Sequence, residues 1–233
     1  GVVTEFSLLQ GTELAFYAEL PAFLLLGLIC GLVAVVLMNT IFWVDTLANR
    51  VQQISGWPRY LRPAAAGALL GIIAIWFPHI IGAGYETTSA ALTGGLGFWT
   101  LILFAVVKCV AVAITMGGRM GGGVFSPALM MGALTGLAFG IVATSVLPTF
   151  SGGPTLYALA GMGAVAAAVL GAPISTALII FELTGDWQTG LAVLVAVSMS
   201  SALASRMVHR SFFLTQLERR NVHLAAGPQA YVL

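Results

Sequence analysis

Two long stretches of this chain carry no Asp, Glu, Lys or Arg: Leu20 to Val44, and Met120 to Phe181. A hydrocarbon core about 30 Å thick takes about 20 apolar residues of helix to cross, so each stretch can hold at least one crossing. Lipid offers backbone polar groups no partner, which leaves helices or closed barrels as the spanning structures. The runs show no alternation with a period of two, and that excludes a barrel. Composition agrees. Of 233 residues, 59% are hydrophobic and 7% charged, where a soluble domain carries about 25% charged residues. The sequence therefore predicts an all-α integral membrane protein, a polytopic bundle of tilted and broken helices whose first partner is the lipid bilayer.

Several functions lose their support at once. A net charge of +1 makes no electrostatic case for nucleic acid. Cys30 and Cys109 lie inside apolar runs and read as small buried hydrophobes, not as a disulfide or metal site. Nothing in the pattern calls for a cofactor. The segment before Pro21 is mixed in character and lacks the basic n-region of a signal peptide.

Proline and glycine divide the rest. A first helix is expected from Pro21 to about Arg50, with Gly27 and Gly31 spaced for tight helix contact. Trp57, Arg59, Tyr60 and Arg62 read as interfacial anchors in a loop. A second span runs from Pro63 to Phe77, a short segment from Glu86 to Leu92, and a third span from Leu96 to about Met116 with Lys108 in its middle. Further helices are expected from Pro127 to Leu147, Leu156 to Leu170, Ile174 to Thr184 and Trp187 to Met207. An amphipathic helix from Ser211 to Arg220 closes the set. Unequal, broken helices of this kind belong to transporters and channels. The basic residues at Arg59, Arg62 and from Arg206 to Arg220 predict a cytoplasmic carboxyl terminus.

The most irregular segment runs from Gly117 to Pro127. Glycine-rich backbone at membrane depth persists only where protein buries it or where it lines a water-filled cavity. A helix follows directly, with Ser126 expected as N-cap and Pro127 as first residue. A helix start leaves N–H groups unpaired and carries about +0.5 of an elementary charge. With no carboxylate nearby in sequence, this end reads as an anion site presented by the Val124 and Phe125 amides. The competing reading is that the glycines only permit close helix packing. A β-branched residue at Gly123 is expected to disturb the backbone.

Gly123-Val124-Phe125-Ser126-Pro127 resembles the glycine-x-phenylalanine-x-proline motif of the CLC chloride channels and chloride/proton antiporters. Gly171 to Thr184 resembles that family's later alanine-proline helix, Ala160 to Ala164 the helix before it, and Ser211 to Arg220 the last helix. The resemblance implies one half of an inverted-repeat fold: a pre-membrane segment 1–20, the second half of the membrane domain at 21–221, and a cytoplasmic tail at 222–233. It implies transmembrane transport of chloride or a similar small anion, a homodimer, the first half of the same fold as partner, and the plasma (inner) membrane. Gly123, Val124, Phe125, Ser126 and Phe213 become the anion-binding residues, with Phe213 where many members place a tyrosine. An isolated half acting as a dimerising scaffold that does not conduct alone is the alternative.

Lys108 is expected to raise the potential along an anion path, or else to snorkel or pair with a carboxylate. Arg119 is expected either to draw anions in or to form a loop salt bridge, and Glu182 to make a structural hydrogen bond. An intramembrane hydrolase with Ser126 as nucleophile would need a Gly-x-Ser-x-Gly elbow or a Ser–His pair. The elbow is missing, since Pro127 follows Ser126, and no histidine lies within the apolar spans except His79 beside Pro78. No enzymatic chemistry is expected.

Overall fold

Each apolar run closes its backbone hydrogen bonds within itself, and the prolines and glycines set where it stops. The computed structural model describes residues 19–82, 84–93, 95–148, 153–208 and 211–222. Most of the expected pre-membrane segment and nearly all of the expected tail lie outside these residues. Among the described residues the helices are α1 (Leu20–Ser55), α2 (Leu61–Trp76), α3 (Tyr85–Leu92), α4 (Phe98–Gly117), α5 (Phe125–Val146), α6 (Pro154–Leu170), α7 (Pro173–Thr184), α8 (Trp187–Met207) and α9 (Phe212–Arg219). A 3-10 turn, Pro78–Ile80, follows α2.

Local chemistry explains the boundaries. Pro21, Pro154 and Pro173 stand in the first turns of α1, α6 and α7, where a missing N–H leaves no bond unmade. Gly185 ends α7 at φ +67°, a left-handed conformation that glycine adopts without a Cβ penalty. Asp186 then caps α8, accepting from the Gln188 and Thr189 amides at 3.3 and 3.0 Å and from the Thr189 hydroxyl at 2.7 Å. Burial disfavours the ionised carboxyl, but these donors outweigh it and hold Asp186 below the usual carboxylate range.

Four helical stretches are long and apolar enough to cross a bilayer: α1, α4, α5 and the stretch that begins with α8. The chain has an all-α integral membrane fold. At its centre is a helix too short to cross comfortably. Every residue of α6 from Thr155 to Val169 is buried, with α5, α8 and α1 packed around it. Small residues make this possible, because two helix backbones approach closely only where no side chain intervenes. A Cβ on Gly132 would strike the Gly161 carbonyl, and one on Gly136 the Tyr157 carbonyl. One on Gly140 would lie 2.8 Å from Pro154 Cα. The same device seats α1 on α8, since a Cβ on Gly27 would lie 2.6 Å from the Ala196 carbonyl.

The last helix is stapled to α1. Phe212 is fully buried and stacks on Phe42 with ring centroids 5.4 Å apart. Arg219 lies over the same Phe42 ring, 4.5 Å from its centroid, and donates to the Phe42 carbonyl and to Thr46 Oγ1, both at 3.3 Å.

The contrast among glycines makes the packing testable. Gly132 faces backbone that cannot step aside, so Gly132→Val should destabilise by about 3 kcal/mol or more, at the upper end of overpacking costs. Nothing lies within 4 Å of a Cβ placed on Gly121, so Gly121→Ala should melt within a degree or two of the parent, as surface substitutions do. Thermal unfolding in detergent compares the two, and equal losses would refute the α5–α6 packing described.

Candidate functional site

The way α4 ends decides where α5 begins. The Gly118 amide donates to the Ile114 carbonyl at 2.7 Å, and the Met120 amide turns back to the Thr115 carbonyl at 3.1 Å. Arg119, between them, takes φ +55°, the position that glycine more often fills at a helix end. Its guanidinium is exposed and reaches Asn49 Oδ1 at 3.5 Å, so the loop salt bridge expected of it is not formed among the described residues.

The glycines of this segment fall into two kinds. A Cβ on Gly117 would lie 2.6 Å from Val44 Cγ1, and one on Gly118 would overlap Ala66 Cβ. These two serve helix packing. Around Gly121 and Gly123 a Cβ would meet nothing within 4 Å, and neither has a left-handed φ. Close packing therefore does not explain them. A Cβ at Gly123 would project into open space and meet no neighbour that forces the backbone to shift.

That space is a cavity of about 780 Å³. Leu70, Gly71 and Ala74 of α2 form one wall, and α4 from Lys108 to Met116 another. Ile80 to Gly82 and Gly121 to Gly123 border it, and Phe125, Ser126 and Pro127 at the start of α5 close it. A second cavity of similar volume, between α1, α4 and α5, is lined mostly by aliphatic and aromatic side chains, with Thr40, Cys109 and Thr135 its polar exceptions and no charged residue.

Helix α5 starts two residues earlier than the sequence predicts. Val124 occupies the N-cap position and Phe125 is the first helical residue. Ser126 is thus not the cap but part of the first turn, and Pro127 is its third residue. The first intrahelical bond runs from the Ala128 amide to the Val124 carbonyl at 3.0 Å. The amides of Val124 and Phe125 precede that bond and have no helical acceptor. Val124 as a whole is buried at 1% exposure, within the apolar core, and it is not among the cavity-lining residues, whereas Gly123 before it and Phe125 after it are.

Lys108 is the one charged residue among those lining the cavity. It is buried and does not snorkel, and it pairs with no carboxylate among the described residues. The residue is 3% exposed, and its ammonium donates to the carbonyls of Ile80 and Gly82 at 3.1 Å each. These are the backbone acceptors left over where α2 has ended and α3 has not begun. The short spans thus bring Gly123, Phe125 and Ser126 together with Lys108 around the cavity, and Val124 is not among its lining residues. Phe213 is not among the lining residues; it is 47% exposed and edge-on to Phe212 at 5.5 Å. Glu86 and Glu182 are exposed on α3 and α7. His79 stacks on Phe104 at 3.8 Å, and no Ser126–His79 hydrogen bond is present among the described residues.

Known proteins share this architecture. A family model described as voltage gated chloride channel matches residues 3–205. The chloride channel protein CLC-f of Arabidopsis thaliana is 34% identical over 212 residues, which covers 82% of this chain and 27% of that protein. The H(+)/Cl(-) exchange transporter ClcA of Vibrio cholerae is 28% identical over 214 residues, covering 88% of this chain and 46% of the transporter. The crystal structure of a slow cyanobacterial Cl-/H+ antiporter superposes with a TM-score of 0.83 at 24% identity, over 94% of this chain and 51% of that one. A eukaryotic CLC transporter gives 0.69 at 24% identity, over 88% and 36%. At such identities the solved structures speak for the fold alone. The chain spans about half or less of the length of these relatives.

Replacing Lys108 by methionine keeps the apolar stem and removes the donor shared by two carbonyls. Each stranded buried acceptor costs about 1–3 kcal/mol, so Lys108→Met should lower the melting temperature and expose the backbone near residue 81 to protease. Unchanged melting with unchanged cleavage would contradict the role given to this side chain.

Proposed function

The chain belongs to the voltage-gated chloride channel family, and from that premise we propose that it forms one half of an anion-transport pathway. The ion, chloride or a similar small anion, binds at the start of α5. One observation carries this reading: the start of α5 opens on a cavity whose lining residues include a lysine and no carboxylate. The Val124 and Phe125 amides donate to the ion, and the aligned peptides of α5 add a positive potential. The absent side chains of Gly121 and Gly123 leave room for it beside the backbone. Lys108 holds the opposite rim in shape and adds charge to it. Transport is passive or proton-coupled and involves no covalent chemistry and no cofactor.

Phe213 lies outside the lining of this cavity, and only the family resemblance supports its supplying an apolar wall elsewhere on the ion path, where a tyrosine would supply a hydroxyl. Arg62, Arg119 and Arg219 all bond to residues between Phe42 and Gln52 of α1, so one end of the molecule is basic. That end faces the cytoplasm by the positive-inside rule, at the plasma membrane. The protein works as a homodimer, and the first half of the fold completes each pathway. Because matched relatives are about twice as long, the isolated chain is a scaffold that does not conduct. Reconstituted alone in liposomes it should pass no more chloride than empty vesicles, and flux above that control would overturn the half-pathway reading.

Calorimetric titration of chloride into variants of the full-length gene product tests the site. Gly123→Val should fill the space beside the amides and weaken binding while the fold stays intact. Val124→Ile should leave affinity unchanged and lower stability by about 1 kcal/mol, the low end of overpacking. Phe213→Tyr should tighten binding by about tenfold if it gains the roughly 1.5–3 kcal/mol of a hydrogen bond to a charged group. Loss of binding in Val124→Ile but not in Gly123→Val would exclude the backbone site, and an unchanged Phe213→Tyr would exclude Phe213 from the ion path.

A further inference from the structure

Arg62 does not behave as the interfacial anchor that its neighbourhood in sequence suggests. Its side chain is 8% exposed, and its guanidinium ties three helices together. From α2, Nε donates to the Gly117 carbonyl, at the end of α4, at 2.6 Å. Nη2 pairs with Asp45 Oδ1 at 2.8 Å, and Nη1 donates to Asn49 Oδ1 at 2.6 Å and Gln52 Oε1 at 3.3 Å, all on α1. The Gly117 carbonyl is one of the last four of α4, which have no amide partner within the helix. A cation beside them is also favoured by the helix dipole.

The bond to Gly117 matters because the backbone leading to the α5 start departs from that residue. Gly117 and Gly118 are pinned by sterics between Val44 of α1 and Ala66 of α2, and Gly121 to Gly123 then border the cavity with little to hold them. A short, glycine-rich tether thus runs from a clamped point to the amides of Val124 and Phe125. We infer that Arg62 is a positioning residue for the anion site: it fixes the end of α4, and through the tether it fixes where the start of α5 presents its amides. Arginine suits this work because its planar fork reaches a carboxylate, an amide oxygen and a backbone carbonyl at once, which an ammonium cannot do. The inference rests on the anion reading of the α5 start.

The test separates the two. Hydrogen exchange over residues 117–124 and calorimetric titration of chloride are measured on the full-length gene product and on Arg62→Ala, Arg62→Lys and Asp45→Asn. Arg62→Ala should raise exchange in 117–124 more than elsewhere and weaken chloride binding about tenfold, the loss of roughly one hydrogen bond to the ion. Arg62→Lys, which keeps the charge and loses the fork, should follow the same pattern more mildly and serves if the alanine variant does not fold. Asp45→Asn weakens the α1 side and leaves the Gly117 bond, so affinity should stay within about twofold, since a neutral partner still accepts a hydrogen bond. Unchanged exchange in 117–124 in both Arg62 variants would overturn the inference. So would raised exchange with unchanged chloride affinity, or an Asp45→Asn loss equal to that of Arg62→Ala. If exchange rises as expected but the parent protein binds no chloride, the positioning stands and the anion reading fails.

Discussion

Inside a bilayer, a backbone carbonyl or amide without a partner costs several kcal/mol, because no water replaces the lost bond. Any interruption of helix in this chain must therefore be repaired from within or face water. Both solutions occur, and they occur side by side. Where α2 gives way to the Pro78–Ile80 turn, the Lys108 ammonium takes up the stranded carbonyls of Ile80 and Gly82. Where α4 ends, Arg62 takes up the carbonyl of Gly117. Where α5 begins, the amides of Val124 and Phe125 precede the first intrahelical bond, and Phe125 borders the cavity. The two cations mend carbonyls, and the amides at the start of α5 are where we propose that an anion binds.

The rest of the architecture gives that opening a rigid back. Helix α5 cannot shift along α6, because Gly132, Gly136 and Gly140 lock against the backbone of Pro154 to Met162. Helix α6, buried along its length, cannot move without displacing α1 and α8. Packing at backbone contact has few alternatives, since interiors are close-packed and deform little. The position of the α5 start is thus set from behind by glycine packing and from the side by the clamp at Gly117.

Much of this was legible in the sequence. Charge-free runs announced the spans, and the four-residue spacing of Gly132, Gly136 and Gly140 announced a close helix contact. The cluster from Gly117 to Pro127 announced the break. Its detail was not legible. Ser126 before Pro127 carries the local signature of a cap, yet α5 starts at Phe125, because Val124 is drawn into the core and carries the first turn with it. Lys108 sits 28 residues from Ile80 and Arg62 55 residues from Gly117, and no local pattern foretells bonds at that range. Nor could spacing alone sort the glycines of one segment into two that touch neighbouring helices and two that touch nothing. Phe213 was reached through family resemblance, and its half-exposed ring gives no contact with the cavity to set beside it.

Whether the backbone at the start of α5 holds an anion can be seen directly. Bromide has nearly the charge and size of chloride and scatters X-rays anomalously, so diffraction from crystals of the full-length gene product grown in bromide is the most direct test. An anomalous peak is predicted at hydrogen-bonding range from the amide nitrogens of both Val124 and Phe125, on the side bordered by Gly123. A well-ordered α5 start with no peak there, and bromide bound elsewhere, would contradict the backbone anion site.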